Sequence, residues 1–201
     1  MTEDQSIAVF ILAGGKSSRM GEEKGLAKLH GKPMIQYLIE ATSGLAQSQS
    51  IIGHHPDYSQ FGIPVFTDLI PDNGPLGGIY TALSYCSTDR ALILSCDSPL
   101  IQSQTLVKMI AHFNGKILVG TLGDRMYPFP GIYSKSLLPQ LKENLEANFL
   151  KVQSFIHNNP HKLISWDQIS ANSELEFANI NTPEELLAWE KDEELKGLSK
   201  K

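Results

Sequence analysis

The sequence predicts an α/β protein built in three layers, with a mostly parallel central sheet and helices on both of its faces. Three observations lead there. Short β-branched runs alternate with longer helical patterns, and the first run passes directly into a glycine-rich loop. The chain also has 201 residues and 41% hydrophobic content, enough for one good core and about the size of a single α/β domain.

Taken in order, Ile7–Ala13 is an unbroken apolar run and reads as the first strand. Residues 33–44 follow as a helix, Ser50–Gly53 and Ile63–Thr67 as strands, and 77–86 as a second helix. Ala91–Cys96 is a strand that Ser98-Pro99 cuts off, 103–114 is helical, and Ile117–Thr121 is a further strand. The later elements are less regular. An extended piece spans Tyr127–Tyr133, helical patterns cover 135–144 and 149–157, and short strands are expected at Leu163–Trp166 and Phe177–Asn179; at least one strand among these later elements is antiparallel. The last helix is the best specified: Thr182 caps it, Pro183 suits its first turn, and Glu185 completes a capping box ahead of Leu186 and Trp189. Gly197–Lys201 reads as a disordered tail.

Composition narrows the function. The net charge is -5, yet Lys16, Arg19, Lys24, Lys28 and Lys32 place five of the 17 basic residues in one short segment. A field that local suits a small polyanion and argues against nucleic acid as a partner. The polar, acidic start Met1-Thr-Glu-Asp-Gln-Ser6 and the shortness of the following apolar run give neither a signal peptide nor a membrane span, so a cytoplasmic protein is expected. Cys86 and Cys96 have no metal or redox spacing and receive no role.

The cationic segment is Leu12-Ala-Gly-Gly-Lys-Ser-Ser-Arg-Met-Gly-Glu-Glu-Lys24. Gly14 and Gly15 can take positive φ and bring backbone N–H groups onto phosphate oxygens with no Cβ in the way, which makes the loop an anion cradle. Two familiar phosphate motifs fail here. Gly15-Lys16-Ser17 resembles the tail of a Walker A loop, but the glycine required five positions earlier is Phe10. No Gly-x-Gly-x-x-Gly passes through the segment either, which removes the main support for a dinucleotide oxidoreductase.

Ligands of open parallel sheets bind beyond the carboxyl ends of the strands, so polar residues there carry the chemistry. Asp97 stands there after the strand 91–96, and its carboxylate suits magnesium, which takes one or two protein carboxylates together with phosphate oxygens. A turn-forming Asp before Ser-Pro is the plainer reading of the same residue. Asp68 follows the strand 63–67 on the same edge, and Asn73-Gly-Pro-Leu-Gly-Gly78 then opens a helix. Its paired glycines serve either close approach to a nucleotide or tight packing of helix on sheet. His54 and His55 are adjacent, point apart, and read as surface residues.

Together these features resemble the molybdenum cofactor guanylyltransferases of the nucleotidyltransferase superfamily. The resemblance rests on Leu12-Ala-Gly-Gly15, Arg19-Met-Gly21, Lys24-Gly-Leu26, Gly31-Lys-Pro33, Gly74-Pro-Leu76, Cys96-Asp-Ser-Pro99 and Asn179-x-Asn181-Thr-Pro-Glu-Glu-Leu186, in the family's order from about residue 7 to 190. It implies a Rossmann-like nucleotidyltransferase fold, with residues 1–201 as a single nucleotidyltransferase domain. It implies that Leu12, Ala13, Gly14, Gly15 and Gly74 line the nucleotide site, that Lys24 and Arg19 act on the phosphates, that Asp68 lies near the guanosine, and that Asp97 holds Mg²⁺. Asn179 and Asn181 match active-site asparagines that help place the pterin phosphate. The chain departs from the family in two places: Glu23 stands where Asp is common before the loop lysine, and Gly53-His54-His55 stands where many members have an Asn. The loop itself reads as in guanylyl members, whereas cytidylyl relatives typically carry Ala in place of the first Gly.

The implied reaction transfers GMP from Mg·GTP to the terminal phosphate of molybdopterin-bound molybdenum. Its substrates are GTP and the molybdenum cofactor, and molybdopterin-handling proteins and acceptor oxidoreductases are the partners that follow from it; no nucleic acid or membrane takes part. The alternatives are a cytidylyltransferase acting on the same pterin, a sugar-phosphate nucleotidylyltransferase, and a non-catalytic nucleotide-binding module.

Overall fold

The computed structural model describes residues 6–14 and 23–191. Seven strands form its main sheet: β1 Ala8–Leu12, β4 Ser48–Ile52, β5 Val65–Phe66, β6 Arg90–Ser95, β7 Ile117–Leu122, β8 Arg125–Ser134 and β9 His161–Ser165. They lie in the order β5-β4-β1-β6-β8-β7-β9, and β2 Lys28–Leu29 and β3 Lys32–Pro33 form a separate small hairpin. β1 pairs in parallel with β4 and β6, β4 with β5, and β7 with β9. Only β8 runs against its neighbours, β6 and β7.

Period-two alternation along β1 feeds two cores. Val9 and Ile11 pack on one face with Ile35 and Leu38 of α1 Met34–Thr42 and with Leu106 and Met109 of α3 Ser103–Ala111. Phe10 and Leu12 pack on the other with Leu76, Ile79 and Leu83 of α2 Gly74–Tyr85, and with Leu141 and Phe155 of α4 Leu138–Glu146 and α5 Val152–His157. Each fully buried side chain of this size contributes about 1.5–3 kcal/mol, so the two faces together hold β1 at the centre. The expected three-layer α/β architecture is the one observed.

The antiparallel strand has a local cause. β7 and β8 join through Gly123-Asp124 with Leu122 opposite Arg125, and Gly123 has φ +54. A two-residue hairpin loop needs such a positive φ, which glycine supplies without strain. Two expectations fail near the C-terminus. Trp166 opens α6 Trp166–Ile169 where a strand end was expected, its carbonyl accepting from Ser170 N at 2.8 Å. Phe177–Asn179 is not a strand: Phe177 N and Ala178 N donate back to the carbonyls of Ser173 and Leu175, closing α7 Ser173–Glu176. The Phe177 ring stacks on Trp166 with centroids 4.0 Å apart. Backbone donors spent on helical turns are not available to a sheet ladder.

Buried Glu176 fixes this region to α3, accepting from Gln102 N at 3.0 Å, Thr105 Oγ1 at 3.1 Å and Ser170 Oγ at 2.6 Å. At α8 Pro183–Lys191, Glu185 N donates to Thr182 Oγ1 at 3.2 Å, as expected of a cap, while the Glu185 carboxylate accepts from Asn181 N at 2.6 Å. The Gly197–Lys201 tail lies outside the described residues.

Candidate active site

Four strand ends meet along one edge of the sheet. The order β5-β4-β1-β6 sets side by side Asp68, Gly53, Ala13-Gly14 and Asp97, the residues that follow those strands. Short backbone bonds keep the ends level: Ala13 N donates to Ile52 O at 2.8 Å, Gly53 N to Phe66 O at 2.9 Å and Cys96 N to Leu12 O at 3.0 Å. The chain crosses β1 between β5 and β6, so this edge is also the point where successive connections diverge, the place where such sheets open a crevice.

On the β4–β5 side lies a pocket of about 690 Å³, lined by Gly14, Gly53, His54, Asp68, Asp72 and Gly74 among others. That is within the range of small-ligand sites. Asp68 and Asp72 bring carboxylates to its wall. Burial raises the Asp68 carboxyl above the usual carboxylate range, while a hydrogen bond from Thr81 and the nearby His54 pull it back. His54 is exposed, as expected, but it belongs to the pocket wall that the sequence did not reveal. Gly14 is not among the glycines with positive φ. What it provides is a missing Cβ, since one built there would lie 3.6 Å from Asp68 Oδ2.

On the β6 side stands a polar cluster. The Lys24 ammonium donates to Asn181 Oδ1 at 2.6 Å and lies 3.5 Å from Asp97 Oδ2. Lys24 and Asp97 side chains are 17% and 23% exposed, so the pair faces the crevice and is still reachable by a ligand. Ser98 Oγ donates to Asn179 Oδ1 at 2.7 Å, and Ile180 N donates to the Asp97 carbonyl at 2.8 Å. Ile180 itself is buried with Leu29, Met34 and Leu100. The Asn-x-Asn segment therefore anchors through its middle residue, with the Asn179 amide on Ser98 and the Asn181 amide on Lys24.

The predicted residues divide accordingly. Gly14, Asp68 and Gly74 share the pocket; Lys24, Asp97, Asn179 and Asn181 share the cluster. Leu12 and Ala13 are buried beneath the edge. A Cβ on Gly78 would meet Leu12 at 3.1 Å, so that helix glycine serves close packing. Lys32 turns away to Glu40 at 2.7 Å. Gly15, Lys16 and Arg19 lie outside the described residues. Cys96 is buried beside Asp97, and burial first, then that carboxylate, pushes its thiol up to about 12. Tyr58 was not foreseen: its hydroxyl donates to Glu23 Oε1 at 2.8 Å from a fully buried position. The only trace of it in the sequence is the pair of glycines that make room for it.

The family pattern described as MobA-like NTP transferase domain matches residues 9–162, which spans β1 to β9 and both Asp68 and Asp97. The chain belongs to the MobA-like NTP transferase family. Among its relatives, a probable molybdenum cofactor guanylyltransferase of Flavobacterium johnsoniae is 38% identical over 184 residues, covering 90% of this chain and 95% of the relative. The molybdenum cofactor guanylyltransferase of Serratia proteamaculans is 31% identical, covering 95% and 98%. The crystal structure of molybdopterin-guanine dinucleotide biosynthesis protein A from Archaeoglobus fulgidus superposes with a TM-score of 0.80 at 20% identity, covering 97% of this chain and 100% of the other. That likeness concerns the fold. The NTP transferase family makes the protein a nucleotidyltransferase.

Proposed function

We propose that the protein transfers GMP from GTP to the terminal phosphate of molybdopterin-bound molybdenum, releasing pyrophosphate and forming molybdopterin guanine dinucleotide. The observation that carries this reading is the Lys24–Asp97–Asn181 cluster beside an open pocket, in a chain whose relatives over nearly its whole length are named molybdenum cofactor guanylyltransferases.

In this reading the base and ribose occupy the pocket of Gly14, Asp68 and Gly74, with Leu12, Ala13 and Gly15 framing it and the triphosphate running toward Lys24. Arg19 supplies further positive charge from the loop. The attacking phosphate has a second pKa of about 6 and is largely ionised near neutral pH, so no strong general base is required. The demands on the protein are in-line placement of two mutually repelling anions and stabilisation of charge on the α-phosphate and on the leaving pyrophosphate. Lys24 meets the second demand and Asn181 holds its ammonium in place. Asn179 and Asn181 orient the acceptor phosphate.

Asp97 fits a magnesium ligand because it is a partly exposed carboxylate at a strand end, facing the same crevice as Lys24. Among the described residues no group of three or more His, Cys, Asp or Glu side chains gathers as a metal site. The chemistry Mg²⁺ supplies when bound is neutralisation of triphosphate charge.

No described helix is long and apolar enough to cross a membrane. We place the reaction in the cytoplasm, carried out by residues 1–201 as one domain, with molybdopterin-handling proteins and acceptor oxidoreductases as supplier and recipient. Incubation of the purified protein with Mg²⁺, GTP and molybdopterin-bound molybdenum tests it. Guanine dinucleotide and equimolar pyrophosphate are expected, and their absence with a competent acceptor present rules the reading out.

A further inference from the structure

Ser98 follows the strand-end Asp97 and is 5% exposed. Its hydroxyl meets Asn179 Oδ1 at 2.7 Å, and among the described residues that is the one side-chain bond Ser98 makes. A hydroxyl that only accepted from the amide would leave its own proton buried and unpaired, so Ser98 donates and the Asn179 oxygen faces it. Asn181 is oriented by stricter chemistry. An ammonium can only donate, so the 2.6 Å contact from Lys24 requires the Asn181 oxygen to face Lys24.

Both amides thus have their oxygens taken by donors of the protein and their nitrogens left over. No described residue accepts from either Nδ2, and both asparagines are half-buried. An amide nitrogen carries two N–H donors and no acceptor, so the pair offers what a phosphate needs. The backbone here does not depend on the Ser98 side chain. Ile180 N donates to the Asp97 carbonyl at 2.8 Å, Ile180 and Leu100 share a small core, and Glu176 accepts from Gln102 N at 3.0 Å. What Ser98 Oγ adds is the orientation of one amide.

We infer that Ser98 is a positioning residue for the acceptor: it holds the Asn179 oxygen, so that Asn179 and Asn181 together present only N–H donors to the acceptor phosphate. An amide free to rotate must be ordered when the anion binds, and a contact that orders it beforehand removes that cost. The inference rests on the proposed function only in that the acceptor offers a phosphate.

Inorganic phosphate is the probe. Wild type and variants are saturated with Mg²⁺ and a GTP analogue carrying carbon between the α- and β-phosphorus, or the analogue of whichever base is preferred, which fills the nucleotide site without transfer; phosphate Kd is then read by ³¹P NMR titration. KM for the pterin acceptor and for the nucleotide is measured in parallel. Ser98→Ala is expected to raise phosphate Kd and acceptor KM about three- to tenfold, as for one hydrogen bond, with nucleotide KM unchanged. Ser98→Thr, which keeps the hydroxyl, is expected to restore most of both. A merely structural role would lower Tm and apparent kcat and leave both constants where they were. Asn179→Ala is expected to weaken phosphate at least as much, and adding Ser98→Ala to it to change nothing further. An unchanged phosphate Kd in Ser98→Ala or in Asn179→Ala overturns the inference, as does a full effect of Ser98→Ala in the Asn179→Ala background or the absence of phosphate binding by the loaded wild type. Failure to transfer to molybdopterin-bound molybdenum, with these phosphate effects present, overturns the proposed function and leaves the role of Ser98 standing.

Discussion

The Lys24 ammonium donates to the Asn181 side chain at 2.6 Å across 157 residues of chain, and it stands 3.5 Å from Asp97 at the same time. The loop after β1, the end of β6 and the segment before α8 thus converge on one cation. A lysine on a flexible four-carbon stem is a poor electrostatic catalyst unless its position is fixed, and Asn181 fixes it without neutralising its charge.

Lys24→Ala is expected to lower turnover by about 10²-fold or more, the scale for removal of a preorganised electrostatic group, with the far-ultraviolet circular dichroism unchanged because the residue opens a short turn and is not part of the core. Steady-state pyrophosphate release checks it. Near-wild-type turnover in the folded variant removes Lys24 from the mechanism.

Asn181→Ala leaves the ammonium in place but unanchored. A smaller loss than for Lys24→Ala is expected, and the double variant should lose less than the product of the two single losses, because the part of Asn181 that acts through Lys24 is already gone while its contact with the acceptor phosphate is not. Additive losses in the same assay would show that Asn181 acts independently, for instance on the acceptor only.

Asp97→Asn keeps the shape of the side chain and removes its charge. Activity is expected to fall while the Mg²⁺ concentration for half-maximal rate rises, both read from one magnesium titration. An unchanged magnesium requirement would leave Asp97 as a turn residue whose carbonyl anchors Ile180.

Asp68 carries a pH signature of definite sign. Its carboxyl is raised in the folded protein, chiefly by burial, so the folded state binds this proton more tightly than the unfolded state. Stability therefore falls as pH rises from the ordinary carboxylate value through the raised one, and the cost persists above it. Asp68→Asn is expected to raise Tm at pH 7 and to lose that advantage in acid below the ordinary carboxylate range, while weakening nucleotide protection. A Tm difference independent of pH would place the Asp68 effect elsewhere.

The order of early elements was legible because β1 and β6 are built on continuous apolar runs, β4 ends in Ile51-Ile52, and α1 and α3 carry a clear helical period. Asp97 was legible as a strand-end carboxylate because it follows such a run and Ser98-Pro99 ends the strand. What escaped was tertiary in origin. Phe177–Asn179 has strand composition, but its donors are taken by α7 and its aromatic ring by Trp166. Tyr58 carries no local mark, since its buried position depends on Gly25, far away in sequence, as well as on nearby Gly53. The two departures from the family pattern, Glu23 and Gly53, both touch this one ring, so what looked like separate substitutions is a single packed unit.

Base choice turns on Gly14. A Cβ there would meet Asp68 Oδ2 at 3.6 Å, an ordinary contact, so the protein itself has room for alanine at this position. The fold itself therefore does not demand glycine here, and in the proposed reading it is the nucleotide that does. Gly14→Ala is expected to leave Tm within about 2 °C of wild type, the range of a neutral surface change. The added methyl projects into the pocket wall and crowds a purine more than a pyrimidine, so it should cut the ratio of guanine to cytosine dinucleotide formed from equal GTP and CTP. Wild type is expected to favour GTP, although Gly53 offers the base no side chain, and His54, Thr67, Asp68 and Asp72 are polar residues of the pocket lining that can read its edge. Competition of the two nucleotides with molybdopterin-bound molybdenum, product by product, measures both. Mostly cytosine dinucleotide from wild type would reassign the base while keeping nucleotidyl transfer, and an unchanged product ratio in Gly14→Ala would show that specificity is set on the other side of the pocket.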